Sequence, residues 1–181
     1  AKEYSIDADH IGITGSSAGG HLSLMIATSD EEKNIKSNDP VDKVSARVQA
    51  VAVFYPPTDF INYGGINTTG TINQQGLVMA RVAAAFDFKE WSDATGTFVS
   101  ITDTKKRIEI AKEISPINFV TPDDPPVIII HGDKDFLVPK QQSESIIEKF
   151  NEAKVPNKFI IKEGGSHGWQ NREIEEKNFI D

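Results

Sequence analysis

Three residue types that together make an activated hydroxyl, serine, histidine and aspartate, stand beside glycines at three distant points of this 181-residue chain. Gly15-Ser16-Ser17-Ala18-Gly19 fits the pattern G-x-S-x-G and lies between a β-branched run and a small-residue, apolar segment. A serine on a sharp strand-to-helix turn is held in a strained backbone conformation, with its hydroxyl out at the C-terminal edge of a sheet. Flanking glycines let the strand and helix approach closely. The next amide, that of Ala18, then lies at a helix N-terminus, where backbone N–H groups stabilise a developing oxyanion. The plainer alternative is a Gly/Ser turn that only connects two elements; the strand before and the helix after weigh against it.

A serine hydroxyl is a poor nucleophile without a base. The histidines are His10, His21, His131 and His167. His10 falls in a polar loop, where solvation is the simple expectation. His21 is one helical turn from Ser17 and is expected to pack or to hydrogen-bond locally. His131 ends an apolar strand, where a structural hydrogen bond explains it. His167 lies in Gly164-Gly165-Ser166-His167-Gly168-Trp169, a loop able to reach back over the sheet edge. The third member of such a set is a carboxylate that orients the imidazole and stabilises it when protonated. His131-Gly132-Asp133-Lys134-Asp135-Phe136-Leu137-Val138-Pro139 offers Asp133 and Asp135, with turn formation as the alternative for either. Trp169, Tyr55 and Phe60 are candidates to line a substrate pocket, and core packing is the alternative for each.

These residues need elements to carry them. Residues 11–15, 48–55, 127–131 and 158–162 read as strands, and 127–131 is continuously apolar, as in a parallel sheet buried on both faces. Helices are expected over 17–28 and 140–153; in the second, Ile146, Ile147, Phe150 and Ala153 fall on one face. Alternation of strand and helix implies right-handed crossovers and a parallel sheet of about four strands, with helices on both faces. Residues 58–124 break this rhythm: a loop is expected over 61–75, and helices over 76–88 and 104–114. So long an excursion is a packing cap or a lid within a single domain covering 1–181.

Composition bounds the partners. Asp and Glu outnumber Lys and Arg by 27 to 19, and a net charge of −8 argues against nucleic acid or an anionic membrane surface. The absence of cysteine excludes disulfides and thiolate chemistry without indicating a compartment. No apolar run approaches the roughly 18 residues of a membrane span. The opening Ala-Lys-Glu-Tyr-Ser has no signal-peptide character.

The chain resembles the esterase and lipase side of the α/β-hydrolase superfamily. It is most similar to carbohydrate esterases of the acetyl-xylan and feruloyl type, near the hormone-sensitive-lipase-like group. The residues that carry the resemblance are 6–22, with Gly-Ser-Ser-Ala-Gly-Gly-His at its centre, then Pro125 to Asp135 with Val138-Pro139, and finally Ser166-His167-Gly168. The order Ser, Asp, His along the chain is that of the superfamily. The resemblance implies that the second aspartate of the motif, Asp135, is the acid. It also implies a small-molecule or carbohydrate ester as substrate, and neither metal nor organic cofactor. Prolyl-oligopeptidase-type peptidases and aryl-formamidases share the core and the order, and a non-catalytic binding domain is a rival of another class. The family carries a His-Gly-Gly-rich loop well upstream of the nucleophile, whereas this chain starts 16 residues before Ser17. The expectation is therefore the C-terminal portion of the fold. An oxyanion hole one donor short costs about 10²–10³ in turnover. The strand at 11–15 would also present a free edge to a second copy or to an N-terminal partner fragment.

Overall fold

Val51-Ala52-Val53-Phe54 and Val127-Ile128-Ile129-Ile130 are apolar at successive positions rather than alternate ones, so both faces of these strands need cover. The computed structural model describes residues 4–29, 37–64 and 86–169. In chain order its elements are β1 (Gly12–Ser16), α1 (Ala18–Thr28), β2 (Ala50–Phe54), β3 (Lys89–Ser92), β4 (Thr97–Ser100), α2 (Thr104–Glu113), β5 (Val127–Gly132), α3 (Gln141–Ala153) and β6 (Asn157–Lys162). The order β1-β2-β5-β6 makes a four-stranded sheet, and every pairing in it is parallel. The expected strands are all present, with ends moved by a residue or two. At the end of β2, Tyr55 takes a positive φ of 39°, and the prolines after it leave the ladder.

Alternation along the central strands divides the core. Val51, Val53, Val127 and Ile129 pack with Leu24 and Ala27 of α1 and with Ile146 and Phe150 of α3. The opposite face carries Phe54 and Ile130, joined by Tyr55, with Ile128, Ile160 and Trp169 against them. α1 and α3 thus share one face of the sheet. Among the described residues β1 is an edge strand, paired with β2 alone. Ile11 beside it, and Leu22 and Ile26 on α1, are exposed.

Residues 58–124 are a mixed segment. The expected loop over 61–75 and helix over 76–88 fall largely on 65–85, outside the described residues. Residues 86–88 lead directly into β3. β3 and β4 form an antiparallel hairpin that the sequence pattern did not announce. α2 starts where expected, capped by Asp103, whose carboxylate accepts from the Lys106 amide at 2.7 Å. The Arg107 guanidinium on α2 donates to the Phe86 and Ile101 carbonyls and lies over the Phe88 ring, which ties helix to hairpin. The segment is fastened to the sheet domain by polar bonds as well. Thr58 N–H donates to Gln142 Oε1 at 2.9 Å, and the Tyr63 hydroxyl donates to the Leu137 carbonyl at 2.8 Å.

Candidate active site

Ser17 sits between β1 and α1 with φ 53° and ψ −122°, a conformation that costs a non-glycine residue strain. A serine before a helix ordinarily caps it with its own hydroxyl; here Ser17 makes no such cap. The turn is as tight as its glycines permit. A Cβ added to Gly15 would lie 2.3 Å from the Gly19 carbonyl oxygen, and one on Gly20 would meet Pro56 and two carbonyls within 3.3 Å. Gly19, by contrast, has open space around it, so the close approach is made by Gly15 and Gly20 rather than by both glycines of the motif.

The hydroxyl of Ser17 faces His167. Ser17 Oγ and His167 Nε2 are 2.9 Å apart, and His167 Nδ1 is 2.9 Å from Asp135 Oδ2. A carboxylate only accepts, so Nδ1 carries the proton; in the neutral ring Nε2 is then bare and accepts from the serine. His167 and Asp135 reach each other because the loops that carry them touch. Gly132, at the end of β5, lies so near Gly165 that a Cβ on it would stand 2.2 Å from the Gly165 carbonyl oxygen. Lys134 N–H also donates to that carbonyl at 2.8 Å.

Asp135 is enclosed. Its other oxygen, Oδ1, accepts from the Leu137 and Val138 amides at 2.9 Å each. Burial by itself would raise its pKa. Hydrogen bonding from His131 and His167 and from the Val138 amide outweighs that and holds the carboxyl well below the usual carboxylate range. Tyr63, whose hydroxyl donates to the Leu137 carbonyl at 2.8 Å, is pushed upward by burial and by the charge of Asp135.

The remaining sequence candidates are placed as follows. Ala18 opens α1, and its amide belongs to the first turn of that helix. Asp133 is exposed and turned from the imidazole; its Oδ1 accepts from the Gly164 amide at 2.7 Å. Tyr55 is only 3% exposed, its ring 4.6 Å from that of His167 and 5.6 Å from that of Trp169, so it supports the imidazole from below and offers little open surface. Trp169 is half-buried against Phe54 and Tyr55. Phe60 is buried beside His21, Tyr63 and Phe86. His10 is exposed and pairs with Asp7. His21 is not bonded locally: its Nε2 lies 2.7 Å from the Ile114 carbonyl, across the molecule in sequence, and burial lowers its pKa against that bond. His131 has the structural hydrogen bonds expected, but it also stands 3.4 Å from Asp135 Oδ2, which its place at a strand end did not reveal.

A parallel sheet of this order, with a strained serine after β1, an acid after β5 and a histidine after β6, defines an α/β-hydrolase. The BD-FAE family model matches residues 1–150, and the chain belongs to that family. Among curated proteins it is similar to esterase LipQ of Mycobacterium tuberculosis (strain ATCC 25618 / H37Rv), 29% identical over 83% of this chain and 30% of that protein. Esterase LipC of the same organism is 24% identical over 92% of this chain and 36% of LipC. The chain therefore spans about a third of the length of these relatives. Among solved structures it is similar to a truncated form of a carbohydrate esterase from gut microbiota. That likeness has a TM-score of 0.69 and 28% identity, over 99% of this chain and 62% of the other.

Proposed function

We propose that this chain carries the catalytic residues of a serine carboxylesterase that works through an acyl-enzyme. The observation that carries the reading is the single imidazole of His167, bridging Ser17 Oγ and Asp135 Oδ2 at 2.9 Å on each side. In this reading His167 takes the proton of Ser17 as the hydroxyl attacks the ester carbonyl carbon. The Ala18 amide donates to the tetrahedral oxyanion. Asp135, held ionised, stabilises the imidazolium. Collapse breaks the bond to the alcohol, which leaves with the proton from His167, and water repeats the cycle to release the acid. The esterase relatives support a carboxylic ester as substrate, and the carbohydrate-esterase likeness supports an ester of a carbohydrate, with acetyl and feruloyl groups as the acyl portions to try first.

The test is covalent labelling by a fluorophosphonate probe together with hydrolysis of acetyl, butyryl and feruloyl esters. Wild type is expected to label and to turn over at least one short-chain ester, while Ser17→Ala does neither and keeps its fold. Labelling that survives in Ser17→Ala, or inertness of the wild type to both probe and esters, would defeat the proposal.

A further inference from the structure

Among the described residues, His131 is a fully buried titratable side chain that the mechanism leaves without a task. His131, the last residue but one of β5, has no exposed side-chain surface, and the side chain of Asp135 is equally enclosed. Its ring is fixed at both nitrogens. Nε2 lies 2.8 Å from the Val138 carbonyl oxygen, and a carbonyl only accepts, so Nε2 carries a proton. That N–H is donated to the Val138 carbonyl, and Asp135 Oδ2 lies 3.4 Å from the same nitrogen. Nδ1 lies 2.6 Å from Ser143 Oγ; in the neutral ring it accepts, and the serine donates. Ser143 belongs to the first turn of α3, beside Gln142. The Gln142 side-chain oxygen accepts from the Thr58 and Asp59 amides at 2.9 and 2.8 Å. Tyr55 covers the remaining side, its ring centroid 6.4 Å from His131 and 4.6 Å from His167.

We infer that His131, held by Ser143, is a positioning residue that fixes the Asp135 carboxylate in the orientation His167 needs. This rests on the reading of Ser17, His167 and Asp135 given above. At 3.4 Å the contact with Oδ2 is too long for a strong hydrogen bond. His131 therefore acts in two ways: its N–H presents positive charge to Oδ2, and its bond to Val138 closes the loop whose amides hold Oδ1. Ser143, His131, Asp135, His167 and Ser17 then form one line of polar contacts from the α3 N-terminus to the nucleophile. An apolar side chain at 131 would fill the volume and leave Oδ2 and the Val138 carbonyl short of a donor in a buried place. A glutamine would keep an N–H in the same region.

The experiment compares wild type, Ser17→Ala, His131→Leu, His131→Gln and Ser143→Ala. It uses two readouts: the fluorophosphonate labelling rate, and the downfield proton resonance of the His167 Nδ1–H bonded to Asp135. His131→Leu is expected to label about 10–100-fold more slowly, the scale of leaving a buried polar group short of its partner, and to lose or shift the resonance. His131→Gln is expected to recover most of both. Ser143→Ala is expected to slow labelling several-fold, and it serves if His131→Leu fails to fold. Wild-type labelling rate and an unchanged resonance in His131→Leu, or in Ser143→Ala where that variant stands in for it, would overturn the inference. So would equal loss in the Leu and Gln variants, because shape alone would then account for the effect. Failure of the underlying reading looks different: Ser17→Ala labels like wild type, or nothing labels. The resonance still decides the role of His131 in that case, and its absence from wild type would also overturn the inference.

Discussion

At the scale of single residues the charge of the site rests on Asp135, and that charge has a consequence for stability. The folded environment lowers its pKa below the roughly 3.9 of an unfolded aspartate. The sign follows from linkage: a carboxyl with a depressed folded pKa contributes stability in full above the unfolded value, and the contribution is lost as pH falls through the folded one. The titratable groups that face it are His131 at the end of β5, His167 beyond β6 and Tyr63 after β2. Urea midpoints measured from about pH 5 downward should therefore fall more steeply in wild type than in Asp135→Asn. Equal slopes would mean that Asp135 is not held as an anion. The same substitution should slow ester hydrolysis by about three to four orders of magnitude above pH 5, since an amide no longer fixes the imidazole tautomer or balances its charge.

At the scale of elements the serine turn makes a sharper prediction, because two glycines of one motif have unlike surroundings. Gly15→Ala would drive its Cβ to 2.3 Å from the Gly19 carbonyl oxygen, a backbone atom that cannot swing aside. The strand-to-helix turn must then open, at a cost of about 3 kcal/mol or more. Gly19→Ala meets nothing within 4 Å on the second residue of α1 and should stabilise by up to about 1 kcal/mol through helix propensity. Urea unfolding of the two variants checks both signs, and equal destabilisation would refute the stated geometry. The sequence pattern pointed to glycine on both sides of Ser17, but only the packing of Gly15 and Gly20 tells which glycines are obligatory. Legibility elsewhere followed burial. β2 and β5 were readable because both faces are covered, and α3 because its apolar residues form a stripe. The β3–β4 hairpin was not, since Lys89–Ser92 and Thr97–Ser100 leave most side chains exposed or half-exposed, so no alternation marks them. His131 could be read as a buried strand end; its nearness to Asp135 depends on how the loop from Gly132 to Val138 folds back.

At the scale of the whole molecule the site joins three segments distant in the chain, and the parallel sheet is what aligns them. Parallel strands deliver their C-terminal ends to one edge, so loops after β1, β5 and β6 emerge side by side. The order of strands also leaves a surface to account for. Among the described residues β1 pairs with β2 alone, and Ile11, Leu22 and Ile26 lie exposed in β1's approach and on α1 at 42%, 60% and 45% of their surface. Leu22 and Ile26 are one helical turn apart and so share a face. Unpaired strand edges flanked by apolar side chains are templates for association. We propose that the 181-residue chain in solution uses this flank to bind a second copy of itself. Sedimentation velocity across a dilution series should then show a concentration-dependent shift from monomer to dimer. The double substitution Leu22→Glu with Ile26→Glu places two carboxylates on the flank, away from Ser17, His167 and Asp135. It should leave the monomer alone in solution without changing the fluorophosphonate labelling rate per chain. A wild type that stays monomeric at about a hundred micromolar, or a double variant that associates as strongly as wild type, would show that this flank is not the contact.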